Sequence, residues 1–218
     1  MPVKKRVTPK KTVSFSDDES LNRARQLNHK KKRIDHDNPP VYVRRTYLTI
    51  PFHLLPLLYY FIKISDNYDV VSLLWYSIPP QILYLVFQFN KSTIYGNKIL
   101  KTNLGLLFVS LGACLLLSVP AMVIIVLFGA FFTELLKETW LLALHCCFLS
   151  FPAVYSVFNC DFKVGVFKKY FISIVIGCWI SCIVIPLDWD RDWQNWPIPI
   201  VIGAYLGAFT GYSLGSFF

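Results

Sequence analysis

Apolar residues fall into six long runs separated by short polar stretches, behind a polar opening that lasts to residue 46. About 20 apolar residues carry an α-helix across the hydrocarbon core of a bilayer. Runs of that order predict spans at 47–64, 70–89, 104–132, 140–158, 170–186 and 197–217. The predicted fold class is therefore all-α: a polytopic membrane helix bundle of about six transmembrane helices over 47–218, with a disordered tail over 1–46. The third run is the odd one. Its 29 residues would extend about 43 Å as a helix, well beyond the ~30 Å core. Pro120 in mid-run predicts one kinked, tilted helix rather than two half-length spans. Pro79, Pro80 and Pro152 also interrupt spans, which a bundle tolerates when neighbouring helices satisfy the freed carbonyls.

Charge sharpens this picture. Only 16% of residues are charged, against about a quarter in a soluble domain. Of 22 Lys and Arg, 13 precede Tyr47. Cytoplasmic loops are enriched in Lys and Arg. Lys91, Lys98 and Lys101 occupy one loop and Lys163, Lys168 and Lys169 another, whereas the alternate loops hold only Lys137 and Arg191. This alternation predicts that both termini are cytosolic. No small-residue cleavage site follows the first apolar run, so that run is expected to act as an uncleaved signal-anchor. Asn90-Lys91-Ser92 is the one glycosylation sequon, and it falls on the cytosolic side.

The tail is poor in large apolar groups, which predicts disorder over 1–40. Lys30-Lys31-Lys32-Arg33 and Arg44-Arg45 set topology, or hold anionic lipid at about 1 kcal/mol per charge. Val13 and Phe15, with basic residues before them and Ser16-Asp17-Asp18-Glu19 after, resemble the short docking motif of protein phosphatase 1. Chance matches to so short a motif are common.

Chemistry-bearing residues are few. None of the six cysteines forms a CxxC pair, and five lie within apolar spans. They read as small apolar packing residues rather than metal ligands. His53 and His145 lie in spans, His29 and His36 in the tail. His145 is a functional candidate by position, but a hydrogen bond to another helix would make it a packing residue. There is no Gly-rich phosphate cradle and no H-E-x-x-H, so no catalytic residues, cofactor or metal are assigned.

The densest polar cluster joins the last two spans: Asp188, Trp189, Asp190, Arg191, Asp192, Trp193, Gln194, Asn195 and Trp196. The acids could hold a divalent cation or a headgroup. The tryptophans suit a rigid turn anchored in the interfacial belt, for folding or partner contact, which is the preferred reading. The last span then carries Gly203, Gly207, Gly211 and Gly215, four glycines at i, i+4 on one face. Such stripes allow close helix packing in lipid. Ser173, Gly177 and Ser181 make a matching stripe in the fifth span. The two stripes could pack on each other, or the glycine face could receive a helix of another protein.

Three segments carry a resemblance: Asp35-His36-Asp37-Asn38-Pro39-Pro40-Val41-Tyr42-Val43-Arg44; Ser156-Val157-Phe158-Asn159-Cys160-Asp161; and Pro186-Leu187-Asp188-Trp189-Asp190-Arg191 through Trp193-Gln194 to Trp196-Pro197-Ile198. Together with the glycine-rich last span they closely resemble fungal members of the PIG-F family, across essentially the whole chain. The resemblance implies residence in the endoplasmic reticulum and a part in glycosylphosphatidylinositol (GPI) anchor synthesis. It implies a non-catalytic subunit that stabilises the large ethanolamine phosphate transferases, of the PIG-O and PIG-G type, which add phosphoethanolamine to mannoses of the precursor. The implied partners are those subunits and membrane lipid, with no nucleic acid. The implied contact set is Asp188, Trp189, Asp190, Arg191, Trp193 and Trp196 with the glycines of the last span. Two other functions compete with it: a transporter or scramblase for the GPI precursor or phosphatidylethanolamine, and an intramembrane transferase using Asp188, Asp190 or His145.

Overall fold

The chain divides into two units, Met1–Pro39 and Pro40–Phe218. The structure, a computed structural model, describes residue 26 and residues 41–44, 46–95, 98–130, 133–160, 165–187 and 189–214. The tail motif at Val13 and Phe15, and with it Asp188 and Gly215, lie outside the described residues.

Seven α-helices make up the described part of the second unit: α1 (Leu54–Tyr59), α2 (Val70–Ser92), α3 (Leu104–Leu127), α4 (Leu136–Leu149), α5 (Phe151–Cys160), α6 (Gly165–Ser181) and α7 (Ile198–Leu214). A three-stranded antiparallel sheet, β1 (Val41–Val43), β2 (Thr93–Tyr95) and β3 (Lys98–Ile99), sits where α2 ends. Its register pairs Tyr42 with Ile94 and Tyr95 with Lys98. Three segments are long and apolar enough to cross a membrane: Tyr47–Ile64, Val70–Ser92 and Leu104–Leu127. A fourth is α4 with α5, if that bent pair is one span; the last two apolar helices are shorter.

The first span is less regular than its hydropathy predicts. It opens with a 3-10 turn at Tyr47–Thr49 and closes with a π turn at Tyr60–Ile64. The interruption lies at Ile50-Pro51, where Ile50 is extended (φ −83°, ψ 122°). A residue preceding proline is driven out of the helical region in this way. By contrast, α2 runs unbroken through Pro79 and Pro80. Asp69 starts it, its carboxylate accepting from Val71 N (3.0 Å), Ser72 N (3.2 Å) and Ser72 Oγ (2.5 Å).

The third span remains one helix through Pro120 but ends at Leu127 instead of reaching 132. Gly129 takes φ 105°, and the N–H groups of Gly129 and Ala130 donate to the carbonyls of Val126 (2.9 Å) and Ile125 (3.3 Å). That is a Schellman stop.

The fourth span is two helices bent by 52° at Ser150. Pro152 has no N–H, so the carbonyl of Phe148 loses its intrahelical donor. Beside it the Leu149 carbonyl accepts from two other helices, from Gln81 Nε2 of α2 (3.1 Å) and the Tyr212 hydroxyl of α7 (2.5 Å). Neighbours thus satisfy the broken backbone.

Packing is centred on α2, α4 and α7, with Leu73, Leu85, Leu142, Val201, Tyr205 and Tyr212 fully buried. α6 lies along α7, and α3 lies across α4 and α5. Only 17% of the most apolar stretch of α3 is buried inside the bundle, and Leu116 and Leu127 point outward. In a lipid solvent that outward surface costs nothing.

Candidate functional site: the 187–197 turn, the glycine seam and the buried polar groups

The turn between α6 and α7 is built around Gln194. Its Nε2 donates to the carbonyls of Val184 (2.9 Å) and Leu187 (2.7 Å), and its Oε1 accepts from the Arg191 N–H (3.1 Å). The side chain supplies the partners that a chain reversal leaves missing. It is buried, whereas Trp189, Asp190, Arg191 and Asp192 around it are exposed. Asp190 takes φ 46°, a left-handed conformation that Asp adopts more readily than most residues. Among the described residues no three His, Cys, Asp or Glu side chains converge on a possible metal position.

Two tryptophans fasten the turn. Trp196 Nε1 donates to Thr139 Oγ1 on α4 (3.2 Å). Trp193 packs on the core and meets Trp189 with ring centroids 5.9 Å apart. Trp75, Trp140 and Trp179 all lie within two turns of the helix ends at this side of the bundle. Trp140 Nε1 donates to Ser118 Oγ at 3.1 Å. With Trp189, Trp193 and Trp196 these make up the six tryptophans of the chain, a residue type that favours the membrane–water boundary.

The glycine stripe is filled from within the chain. A β-carbon on Gly203 would strike Ser181 Oγ and the Gly177 carbonyl, and one on Gly211 would lie 2.7 Å from Ser173 Cβ. One on Gly177 would strike the Gly203 carbonyl and lie 2.9 Å from Gly207 Cα. Ser173 Oγ then donates to the Gly207 carbonyl at 2.9 Å. Of the two readings left open for the stripes, the structure has them packed on each other. Gly203, Gly207 and Gly211 are thus buried against α6.

Buried polar groups hold the centre together. His145 lies between Val70 and Tyr205: its Nε2–H donates to the Val70 carbonyl (3.0 Å), and Nδ1 is hydrogen-bonded to the Tyr205 hydroxyl (3.1 Å). A carbonyl can only accept, so Nε2 carries a proton. His53 Nε2 meets Gln81 Oε1 at 2.7 Å, and the Tyr84 hydroxyl donates to the Thr49 carbonyl at 2.6 Å.

Known proteins match this chain along nearly all of its length. Residues 49–216 match the GPI biosynthesis protein family Pig-F. Glycosylphosphatidylinositol anchor biosynthesis protein 11 of Kluyveromyces lactis is 65% identical over 214 residues, covering 98% of each chain. The protein of the same description in Saccharomyces cerevisiae is 62% identical over 220 residues, covering 100% of each. That of Candida albicans is 30% identical over 248 residues, covering 93% of this chain and 92% of its own. No solved structure matches. A helical membrane bundle matched along its length by these proteins places the chain in the Pig-F family, with a role in GPI-anchor biosynthesis.

Proposed function

We propose that this chain is a non-catalytic subunit that stabilises the large ethanolamine phosphate transferases of GPI assembly, of the PIG-O and PIG-G type, in the endoplasmic reticulum membrane. The observation that carries the reading is the use made of the polar groups inside the bundle. Both nitrogens of His145 are engaged by Val70 and Tyr205, and Gln81 is divided between His53 and the Leu149 carbonyl. They serve packing, and a general base would need a free lone pair within reach of a substrate proton.

In this reading the bundle spans six times with both termini cytosolic. Arg44, Lys91, Lys98, Lys101 and Lys169 lie at one end, while Asp69, Glu134, Glu138, Asp190 and Asp192 lie at the other with Lys63, Lys137 and Arg191. This segregation supports a cytosolic basic end and a lumenal 187–197 turn. Asp188, Trp189, Asp190, Arg191, Trp193 and Trp196 would then meet the partner near its lumenal region, with the outward face of α3 as a second contact. The glycines contribute by holding α6 and α7 in register.

Expressing a large transferase subunit with and without this chain tests the proposal. Its abundance and its phosphoethanolamine transfer should fall together when the chain is absent. Unchanged abundance and output would refute the subunit reading. Headgroup movement between leaflets of vesicles holding this chain alone would support the transporter instead. Transfer by the purified chain, abolished by Asp190→Asn, would support the enzyme.

A further inference from the structure

Cys146 on α4 and Cys178 on α6 face each other with their sulfurs 3.8 Å apart. Two other cysteines are turned elsewhere. Cys114 donates to the Cys147 carbonyl at 3.5 Å, and Cys182 donates to the Cys178 carbonyl at 3.2 Å. Cys146 and Cys178 are both partly buried, and the residues after Cys178, Trp179 and Ile180, are exposed on the outer surface of the bundle. Both cysteines lie in apolar helices, so the pair is approached through the apolar layer.

We infer that Cys146 and Cys178 form an oxidation site that closes to a disulfide and ties α6 to α4. A disulfide holds its sulfurs about 2.0 Å apart, so closure draws the two sulfurs together from 3.8 Å. The oxidant that fits is a small neutral peroxide, because a charged disulfide such as oxidised glutathione would have to shed its hydration to enter the apolar layer. One sulfur attacks a peroxide oxygen. The O–O bond breaks, the sulfur becomes a sulfenic acid, and the leaving oxygen departs as water with the thiol proton. The second sulfur attacks the sulfenic sulfur, the S–O bond breaks, and a second water leaves with the second thiol proton. Two thiols and one hydrogen peroxide give one disulfide and two waters.

The site is independent of the partner proposed above and is tested on the full chain in its native membranes. Hydrogen peroxide treatment is followed by blocking of free thiols, reduction and labelling with a maleimide polymer. Two labels per wild-type chain are expected, lost in both C146S and C178S and kept in C114S and C182S. Mass spectrometry of the wild type should find a peptide pair joined between Cys146 and Cys178, which needs no variant to fold. No joined pair after peroxide, or two labels persisting in C146S, would overturn the inference. Equal labelling with oxidised glutathione would overturn the choice of oxidant.

Discussion

A β-carbon placed on Gly207 would lie 2.5 Å from the carbonyl oxygen of Ser173, so α7 is seated on α6 main chain to main chain. Nothing in that contact can rotate away. Gly207→Ala must shift a helix and should cost about 1–3 kcal/mol, as overpacking does. Gly112, in α3, has nothing within 4 Å of an added methyl group, and Gly112→Ala should cost nothing. Thermal aggregation midpoints of the two purified full-length variants decide the matter. Equal losses would contradict the seam.

Gln194→Leu should loosen the 187–197 turn. It removes donors from two carbonyls and an acceptor from Arg191 N–H, partly buried bonds worth about 0.5–1.5 kcal/mol each. Asp190→Gly should leave stability unchanged, since φ 46° suits glycine without strain. Asp190→Val should destabilise by about 1–3 kcal/mol, because a β-branched residue resists that region. Tryptophan emission during thermal unfolding reads all three.

Asp69 gives the bundle a small acid sensitivity. The Ser72 hydroxyl bond chiefly holds its carboxyl below the usual range; burial opposes this, while the Ser72 and Val71 N–H groups and Lys137 lower it further. With the folded value depressed, the stabilisation is fully present above the ordinary carboxylate pKa and is lost as pH falls through the folded one. Asp69→Ala should cost about 0.5–2 kcal/mol at neutral pH. Asp69→Asn should keep the cap and lose its share of the acid dependence. Unfolding midpoints between neutral and acid pH provide the comparison.

Asn90 should carry no glycan. Its Oδ1 already accepts from Thr102 N at 2.9 Å, and Ser92 of the same sequon is buried against Thr46 Oγ1 at 2.9 Å. Glycosidase treatment should leave the mobility of the chain from native membranes unchanged. A shift would invert the proposed topology.

The tail motif predicts that a peptide covering residues 8–20 retains protein phosphatase 1 and that Phe15→Ala abolishes retention. Retention that ignores the substitution would dismiss the motif.

The apolar runs were legible because a helix facing lipid must be apolar on its outer side, as α3 is. The bend in the fourth span was only half legible. Pro152 announces a missing donor, but the partners of Leu149 lie 68 and 63 residues away in sequence, at Gln81 and Tyr212. The matching stripes of Ser173, Gly177 and Ser181 and of the last span's glycines announced a seam, and only their apposition showed which surface filled it. In the turn, the tryptophans and aspartates draw attention by number, while the single Gln194 does the joining. Its signal was available: a ten-residue reversal between antiparallel helices needs a side chain able both to donate and to accept.

The doubly held carbonyl of Leu149 bears on how the polypeptide is completed in the cell. One of its two donors, Tyr212, is made 63 residues after the kinked segment that it seals. The elbow must therefore wait, with one donor in place, for α7 to enter the bilayer. Nascent chains halted before residue 197 should hold that elbow open, and quality-control machinery would meet it in that form.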